Sequence, residues 1–389
     1  MTETPTPPRT APFASTAAFT AVASVVLLSQ LYGSIALFAQ ISADLHVDTA
    51  AVGLLQSAFG VAYAAGFILW GPAVDRFGPR RTMLAGLLGL AAMTALAASA
   101  ASFGWLIAAR VGQGLAAAAF APAAFAYLGT RLAPPRRVAA VTILTSSFLA
   151  SAVIGQLLAQ LAVDHASWRW FFGLSAAALL AVAAAAAAVV LPAPAPGSGG
   201  ARPLAALWTL LRRGPVLLLL VATSAVLGPF IALYTAAGAS GSFPAHELTA
   251  MRASALPALV WAAFATPVLG RIPARVRLVG AFAVAAGACA ALAGPADGRT
   301  AVTVCLFAIA AAVSVAAPAM IETLSGHAPE LRGTVTALYT FWLFLGAALS
   351  PLLVTAAAAS LPATATASAA ALAAGALLTL AARAAPARG

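Results

Sequence analysis

Arg110 is the one basic residue set well inside a long apolar run, about a third of the way along it. A charge near the middle of a bilayer costs about 2.5–3.5 kcal/mol on insertion scales. Such a guanidinium must face a cavity or a partner, or reach the nearer surface along its own stem. Gln113 follows three positions later and shares its helix face. The pair offers forked donors and an amide, which suits hydrogen bonding to a carboxylate or a polar neutral group rather than bond-making chemistry.

A second concentration of charge occupies residues 71–81, Gly-Pro-Ala-Val-Asp-Arg-Phe-Gly-Pro-Arg-Arg. Asp75, Arg76, Arg80 and Arg81 crowd into a turn between two runs, 50–70 and 82–109, that carry no charge. Gly71 and Gly78 have no side chain, and Gly71 would let a helix end approach a neighbour closely. Asp75 can sit on the N-terminus of another helix, where free N–H groups favour an anion. The arginines can pair with that carboxylate or with anionic headgroups, so the group can act as a latch. The plainer alternative is that they only fix orientation in the membrane.

Other chemistry finds little support. His246-Glu247 is followed by Ala250 where a second zinc ligand would stand, so the zinc-protease pattern is absent. Every one of the 20 basic residues is arginine, and a phosphate-binding loop of the Walker type lacks its lysine. His46, His165, His246 and His327 are scattered among separate polar stretches. The sequence therefore implies no enzyme, no cofactor and no metal. Cys289 and Cys305 both fall in apolar runs and read as buried thiols rather than a disulfide framework.

With 63% hydrophobic and 7% charged residues and a mean hydropathy of +1.00, the 389-residue chain is not a soluble domain. Its length accommodates roughly twelve spans of about 20 residues with short connections. The net charge of +11 comes from short polar stretches and does not indicate nucleic acid. Residues 1–15 read as a polar, proline-rich tail. Residues 16–191 hold six apolar runs, 192–214 form a Pro, Gly and Ser linker, 215–383 hold six more, and 384–389 form a second tail. The tenth run is expected to end near Ile321, with Glu322 to Arg332 as a loop, and residues 240–250 as another. Trp168, Arg169 and Trp170 read as an interfacial anchor at the start of the sixth span. Gly270, Arg271, Arg275 and Arg277 form a worn copy of the 71–81 stretch without its acid.

Residues 71–81, between the second and third spans, resemble the loop motif Gly-x-x-x-Asp-Arg-x-Gly-x-Arg-Arg of the major facilitator superfamily, with Pro79 where that family usually has a base. Arg110-Val-Gly-Gln113-Gly114 resembles its fourth-helix motif, Arg-x-x-Gln-Gly, in full. The fold class implied is an all-α membrane protein with twelve helices in two six-helix halves. The first, fourth, seventh and tenth helices line the family's cavity, which adds Gln30, Tyr32, Ser34, Thr223, Ser224 and Tyr234 to Arg110 and Gln113 as candidate substrate contacts. Asp75 would meet the eleventh helix near Gly333 and Thr334. Much of the chain looks like the drug–proton antiporter group, although that group's fifth-helix pattern, Gly-Pro-x-x-Gly-Gly, keeps only Gly155 here.

What the resemblance implies is an exporter of small amphipathic compounds, neutral or anionic because the cavity has a base and no carboxylate. Protons would be the coupling ion, and the partners a small-molecule substrate and the lipid bilayer, with no nucleic acid and a monomeric state. An uptake permease and a non-transporting receptor or scaffold of the same fold stay open as alternatives.

The arginine bias sets orientation in a plasma membrane. A path with both termini in the cytoplasm leaves only Arg169, Arg252 and Arg299 on the outer side. In intact cells a membrane-impermeant thiol reagent is therefore expected to miss a cysteine at Ser198 and to label one at Ser242. Labelling of Ser198→Cys from outside would overturn that topology.

Overall fold

Alanine, leucine and valine fill the apolar runs. In a bilayer interior a chain must satisfy its N–H and C=O groups within its own segment, so such runs become helices. The computed structural model describes residues 10–192, 203–239, 243–294, 298–328, 331–357 and 360–382. The topology probes Ser198 and Ser242 lie outside these. The first part of the chain forms α1 (Phe13–Leu45), the single turn α2 (Thr49–Val52), α3 (Leu54–Phe77), α4 (Pro79–Ala98), α5 (Phe103–Ala117), α6 (Phe120–Arg131), α7 (Pro134–His165) and α8 (Trp168–Val189). A short α9 (Pro203–Leu211) stands within the expected linker. The second part forms α10 (Gly214–Ala239), α11 (Ala245–Ala253), α12 (Leu256–Leu269), α13 (Ala274–Ala293), α14 (Arg299–His327), α15 (Arg332–Ala356) and α16 (Leu361–Ala381).

Among the described residues, 11 helical segments are long and apolar enough to cross a membrane. The segment expected as the eighth span is divided into α11 and α12. Pro257 accounts for the break: it has no N–H and its ring crowds the carbonyl four residues back, at Ala253. Pro122 separates α5 from α6 at Ala118 in the same way, although the two together span the membrane. Large apolar side chains face outward, Leu69 being 65% and Leu353 68% exposed. Hydrocarbon, not water, is the medium that accepts such a surface.

Three expectations need correcting. α14 runs on to His327, so Glu322 lies in a helix and pairs with Arg277 of α13. α11 takes up much of the loop expected at 240–250. Trp168 is wholly buried rather than interfacial, because the phase of α8 turns it inward. Its Nε1 donates to Asp44 Oδ2 at 2.9 Å and its main-chain N–H to Gln40 Oε1 at 2.5 Å, while Arg169 pairs with Asp44 and donates to Ala100 O at 3.1 Å. Together these bonds tie the ends of α1, α4 and α8. Trp170, 58% exposed, keeps the outward position.

Helix pairing repeats along the chain. α1 packs on α7 as α10 packs on α15, and α4 on α8 as α13 on α16. The repeat extends to single residues. A Cβ built on Gly155 would stand 2.7 Å from Ser29 Cα, and one on Gly346 would stand 2.8 Å from Ser224 Cα. Each serine donates to a carbonyl of its own helix, Val25 O at 2.6 Å and Val221 O at 2.7 Å, so it is spent locally and only the glycine faces it. The one glycine kept from the fifth-helix pattern is thus the one on which α7 closes against α1. The second contact argues for the same closure between α15 and α10. Arg80 and Arg275 match as well, donating to Ala187 O at 2.6 Å and to Leu380 O, so that each fastens the start of one helix to the end of another. That pairing gives a structural basis for reading residues 270–277 as a copy of the 71–81 stretch.

Gly155→Val and Gly346→Val are each expected to lower stability by about 1–3 kcal/mol or more, by forcing packed backbones apart. Gly173→Ala, where a Cβ would meet nothing within 4 Å, is expected to be neutral or slightly stabilising. Thermal unfolding of detergent-purified protein checks the contrast, and equal melting of all three variants would refute it.

Candidate functional site

A guanidinium has five N–H groups in a planar fork, and Arg110 spends all of them. Its Nε donates to Leu55 O at 3.1 Å. Nη1 donates to Gln30 O at 2.6 Å and to Gln113 Oε1 at 2.9 Å, and Nη2 to Ser34 Oγ at 3.2 Å and Leu31 O at 3.4 Å. Its charge also lies over the Phe59 ring, 4.6 Å from the centroid. The network continues outward: Gln113 Nε2 donates to Thr94 Oγ1 at 2.8 Å, and Ser34 Oγ to Gln56 Oε1 at 2.8 Å. Arg110, fully buried, therefore ties α1 and α3 to α5, and Gln113 carries the network on to α4. Every acceptor of Arg110 is a neutral oxygen, so its charge is solvated without a carboxylate.

The rest of the Arg-x-x-Gln-Gly stretch serves this meeting. A Cβ on Gly114 would stand 2.3 Å from Phe59 O and 2.9 Å from Tyr63 N, so α5 touches the α3 backbone there. A Cβ on Gly112 would meet Met93 Sδ at 2.4 Å. Close approach at Gly114 brings Arg110 within reach of the α3 carbonyls, while Gly112 seats α5 against Met93 of α4.

In the 71–81 stretch, Gly78 joins α3 to α4 at φ 82°, ψ 159°, a region open to glycine and strained for other residues. Pro79 opens α4 at the first helical position, where a missing N–H costs nothing, which gives a reason for proline in place of a base. Gly71 corrects the reading made from sequence: a Cβ there would meet nothing within 4 Å, so no close approach depends on it in this conformation. Arg76 is exposed beside the Phe77 ring, and Arg81 is exposed. The side chain of Asp75 and the surroundings of Gly333, on which the latch contact rests, lie outside what the structure describes.

A cavity lies between the two parts of the chain. Phe125, Thr145 and Phe148 line it from α6 and α7, and Leu227, Val313 and Ala317 from α10 and α14. Tyr339, Thr340, Leu343 and Phe344 complete it from α15. No lining residue is charged. Its rings form a chain from one part of the molecule to the other: Phe125 to Phe148 at 6.4 Å, Phe148 to Phe344 at 6.2 Å, and Phe344 to Tyr63 at 4.6 Å. Toward the end of the bundle that carries Asp44, α3 and α15 close upon each other, and a Cβ on Gly60 would stand 2.5 Å from that of Ala348.

None of the eight polar candidates lines this cavity. Arg110, Gln113, Ser34 and the Gln30 carbonyl converge in the network beside it. Tyr32 is buried, and Tyr234 packs on Phe230 with centroids 4.5 Å apart. Thr223 and Ser224 donate to Leu219 O and Val221 O of their own helix, as isolated hydroxyls in membrane helices commonly do. Sequence reasoning passed over Tyr339, Phe344 and Phe148. The available signal was the aromatic run 339–344, set in a chain dominated by alanine. Among the described residues no group of three or more His, Cys, Asp and Glu could hold a metal. Cys289 and Cys305 are free, buried and in contact across α13 and α14.

The profile of the Major Facilitator Superfamily matches residues 17–351. Among curated proteins, the chain is 31% identical to the tetracenomycin C resistance and export protein of Streptomyces glaucescens, over 41% of this chain and 30% of that protein. It is 35% identical to a cephamycin export protein of Amycolatopsis lactamdurans over 33% of this chain and 27% of that one. With the puromycin resistance protein of Streptomyces alboniger it shares 33% identity, over 36% of this chain and 28% of that one. Each match spans less than a third of the relative's own length.

The geometry separates two roles for Arg110. A side chain holding three helices together sets the melting temperature with no ligand present, whereas a substrate anchor does not. Arg110→Ala is expected to cost about 3 kcal/mol or more, since it empties a large buried volume and leaves Gln113 Oε1 without its donor. Arg110→Lys, with three donors for five, is expected to fall between that variant and the parent. Unchanged ligand-free melting in Arg110→Ala, with binding of an anionic compound lost, would restore the anchor role.

Proposed function

We propose, given that the chain belongs to the Major Facilitator Superfamily, that it exports small amphipathic organic compounds by alternating access and that the proton gradient drives it. The chain is a multi-pass membrane protein of that family and a transporter, not an enzyme. The observation that carries the proposal is a cavity lined from both parts of the molecule, next to a seam, α3 against α15, where the parts meet through rings and small residues. Such a seam can be made on one side of a binding site while it opens on the other. Export is favoured over uptake because the relatives bear the names of export and resistance proteins.

Substrate charge follows from the surroundings of the cavity. Its walls are neutral, and Arg110 stands behind Phe59 and Tyr63 with no carboxylate to offset it. A permanent cation would lose its hydration and find no counter-charge. Uncharged compounds pay least on entry, and anions gain from the field of Arg110 without touching it. The arginine-rich end, with both termini, is assigned to the cytoplasm of a plasma-membrane protein that works as a monomer. Asp75, Gly78 and the arginines of the 71–81 stretch are assigned to the switch between the two openings.

Proteoliposomes with an imposed pH difference test this. With Nile red as a neutral probe, transport is expected to be directed against proton flow and to vanish with a protonophore. One pH unit is worth about 1.4 kcal/mol, so one-for-one exchange sustains about a tenfold gradient of the probe. Asp75→Asn is expected to slow turnover while leaving equilibrium binding of the probe unchanged. Flux along the proton gradient, or no flux for neutral and anionic probes beside rapid movement of tetraphenylphosphonium, would sink the proposal.

A further inference from the structure

Cys289 and Cys305 are the chain's two cysteines, and the transport reading uses neither. α13 ends at Ala293, α14 begins at Arg299, and the two helices pack on each other as an antiparallel hairpin. Cys289 lies four residues before the end of α13 and Cys305 six after the start of α14. At about 1.5 Å per residue these are depths of roughly 6 Å and 9 Å. The hairpin thus sets both sulfurs near one level, at the end away from the Arg277–Glu322 pair, and there the thiols touch. They are 0% and 3% exposed, and both are free. One turn to either side on their own helices stand Ala285 and Leu292, Val302 and Ile309, all buried.

None of these neighbours can offset a charge, so a ligand has to leave the pair neutral. Two thiolates balance one divalent ion, whereas a monovalent ion such as silver would leave a buried negative charge. Among the described residues no group of three or more His, Cys, Asp and Glu stands together, so four-coordinate zinc finds too few ligands. Soft sulfur donors, two of them, and a neutral product together specify a thiophilic divalent ion that binds two ligands. We propose that Cys289 and Cys305 form a two-coordinate site for a soft divalent cation of the mercuric type. The site is distinct from the cavity, which neither cysteine lines, and stands whether or not the chain carries a substrate. On binding, two S–Hg bonds form and two S–H bonds break. The two protons pass to water, and nothing is oxidised or reduced. The ion takes the place of the contact between the thiols and joins α13 to α14.

The test uses the full chain in lipid nanodiscs, with mercuric chloride as the probe and excess glutathione as a competing monothiol. Since the chain has no other cysteine, thiol-bound mercury reports this pair alone. One mercury per chain is expected, with two sulfur neighbours by X-ray absorption. The second thiolate bond is intramolecular, so Cys289→Ser and Cys305→Ala are each expected to hold mercury about a hundredfold more weakly than the parent, or weaker still. Zinc chloride is expected not to bind. No mercury retained against glutathione, mercury with a single sulfur neighbour, or parent-like retention in either variant would overturn the proposal. So would zinc held as tightly as mercury, or a parent isolated as the disulfide. If one variant fails to fold, the other makes the comparison, and the sulfur count in the parent decides independently of both.

Discussion

A charge inside a membrane protein has to be solvated by the protein, and much of this fold is arranged to do that once. Arg110 spends its five donors on α1, on α3 and on Gln113 of its own helix. Gly114 lets α5 come near enough to α3 for Leu55 to supply one of those oxygens. Neutral acceptors are sufficient because they are many and aimed, and because the Phe59 face adds to them. Removing any one of these helices would leave a cation in hydrocarbon, so the network fixes the first part of the chain as a unit.

The second part reaches a comparable packing without a fully buried arginine among its described residues. Ser224 against Gly346 repeats Ser29 against Gly155, and Arg275 repeats Arg80. Between α13 and α14 there are two touching buried thiols and, at the other end of α13, the Arg277–Glu322 pair. The repeat is therefore one of backbone contacts, with the polar chemistry concentrated in the first part. That asymmetry leaves the first part with the electrostatic centre, while both parts contribute rings to the cavity.

Much of this was legible in the residues. Apolar run lengths and arginine placement gave the helices, and two short motifs gave the family. Arg110 was recognisable as a buried charge in need of partners. Which partners was not legible, because its helix face is shared by a cavity and by neighbouring helices, and only packing decides between them. Pro257 carried a visible signal for a broken eighth segment that a count of apolar residues overlooks. Glu322 and Trp168 were misplaced for one physical reason: helix ends and helix phase depend on what the neighbours offer. Tyr339 stood in a visible aromatic run, but α15 carries aromatic or apolar residues on several faces, and nothing local marks which of them meets the other part.

The contact of Gly60 with Ala348 has a mechanical meaning. It brings α3 and α15 close together, and it lies near one end of α3. From there to Phe77 the helix runs roughly 25 Å at about 1.5 Å per residue. The arrangement is that of a lever with its fulcrum near one tip. A tilt of about 10° about that point would leave the near end almost still and carry the far end, with its arginines, through roughly 4 Å. A small change at this contact would thereby be geared up into a displacement of several ångströms at the arginine-rich end.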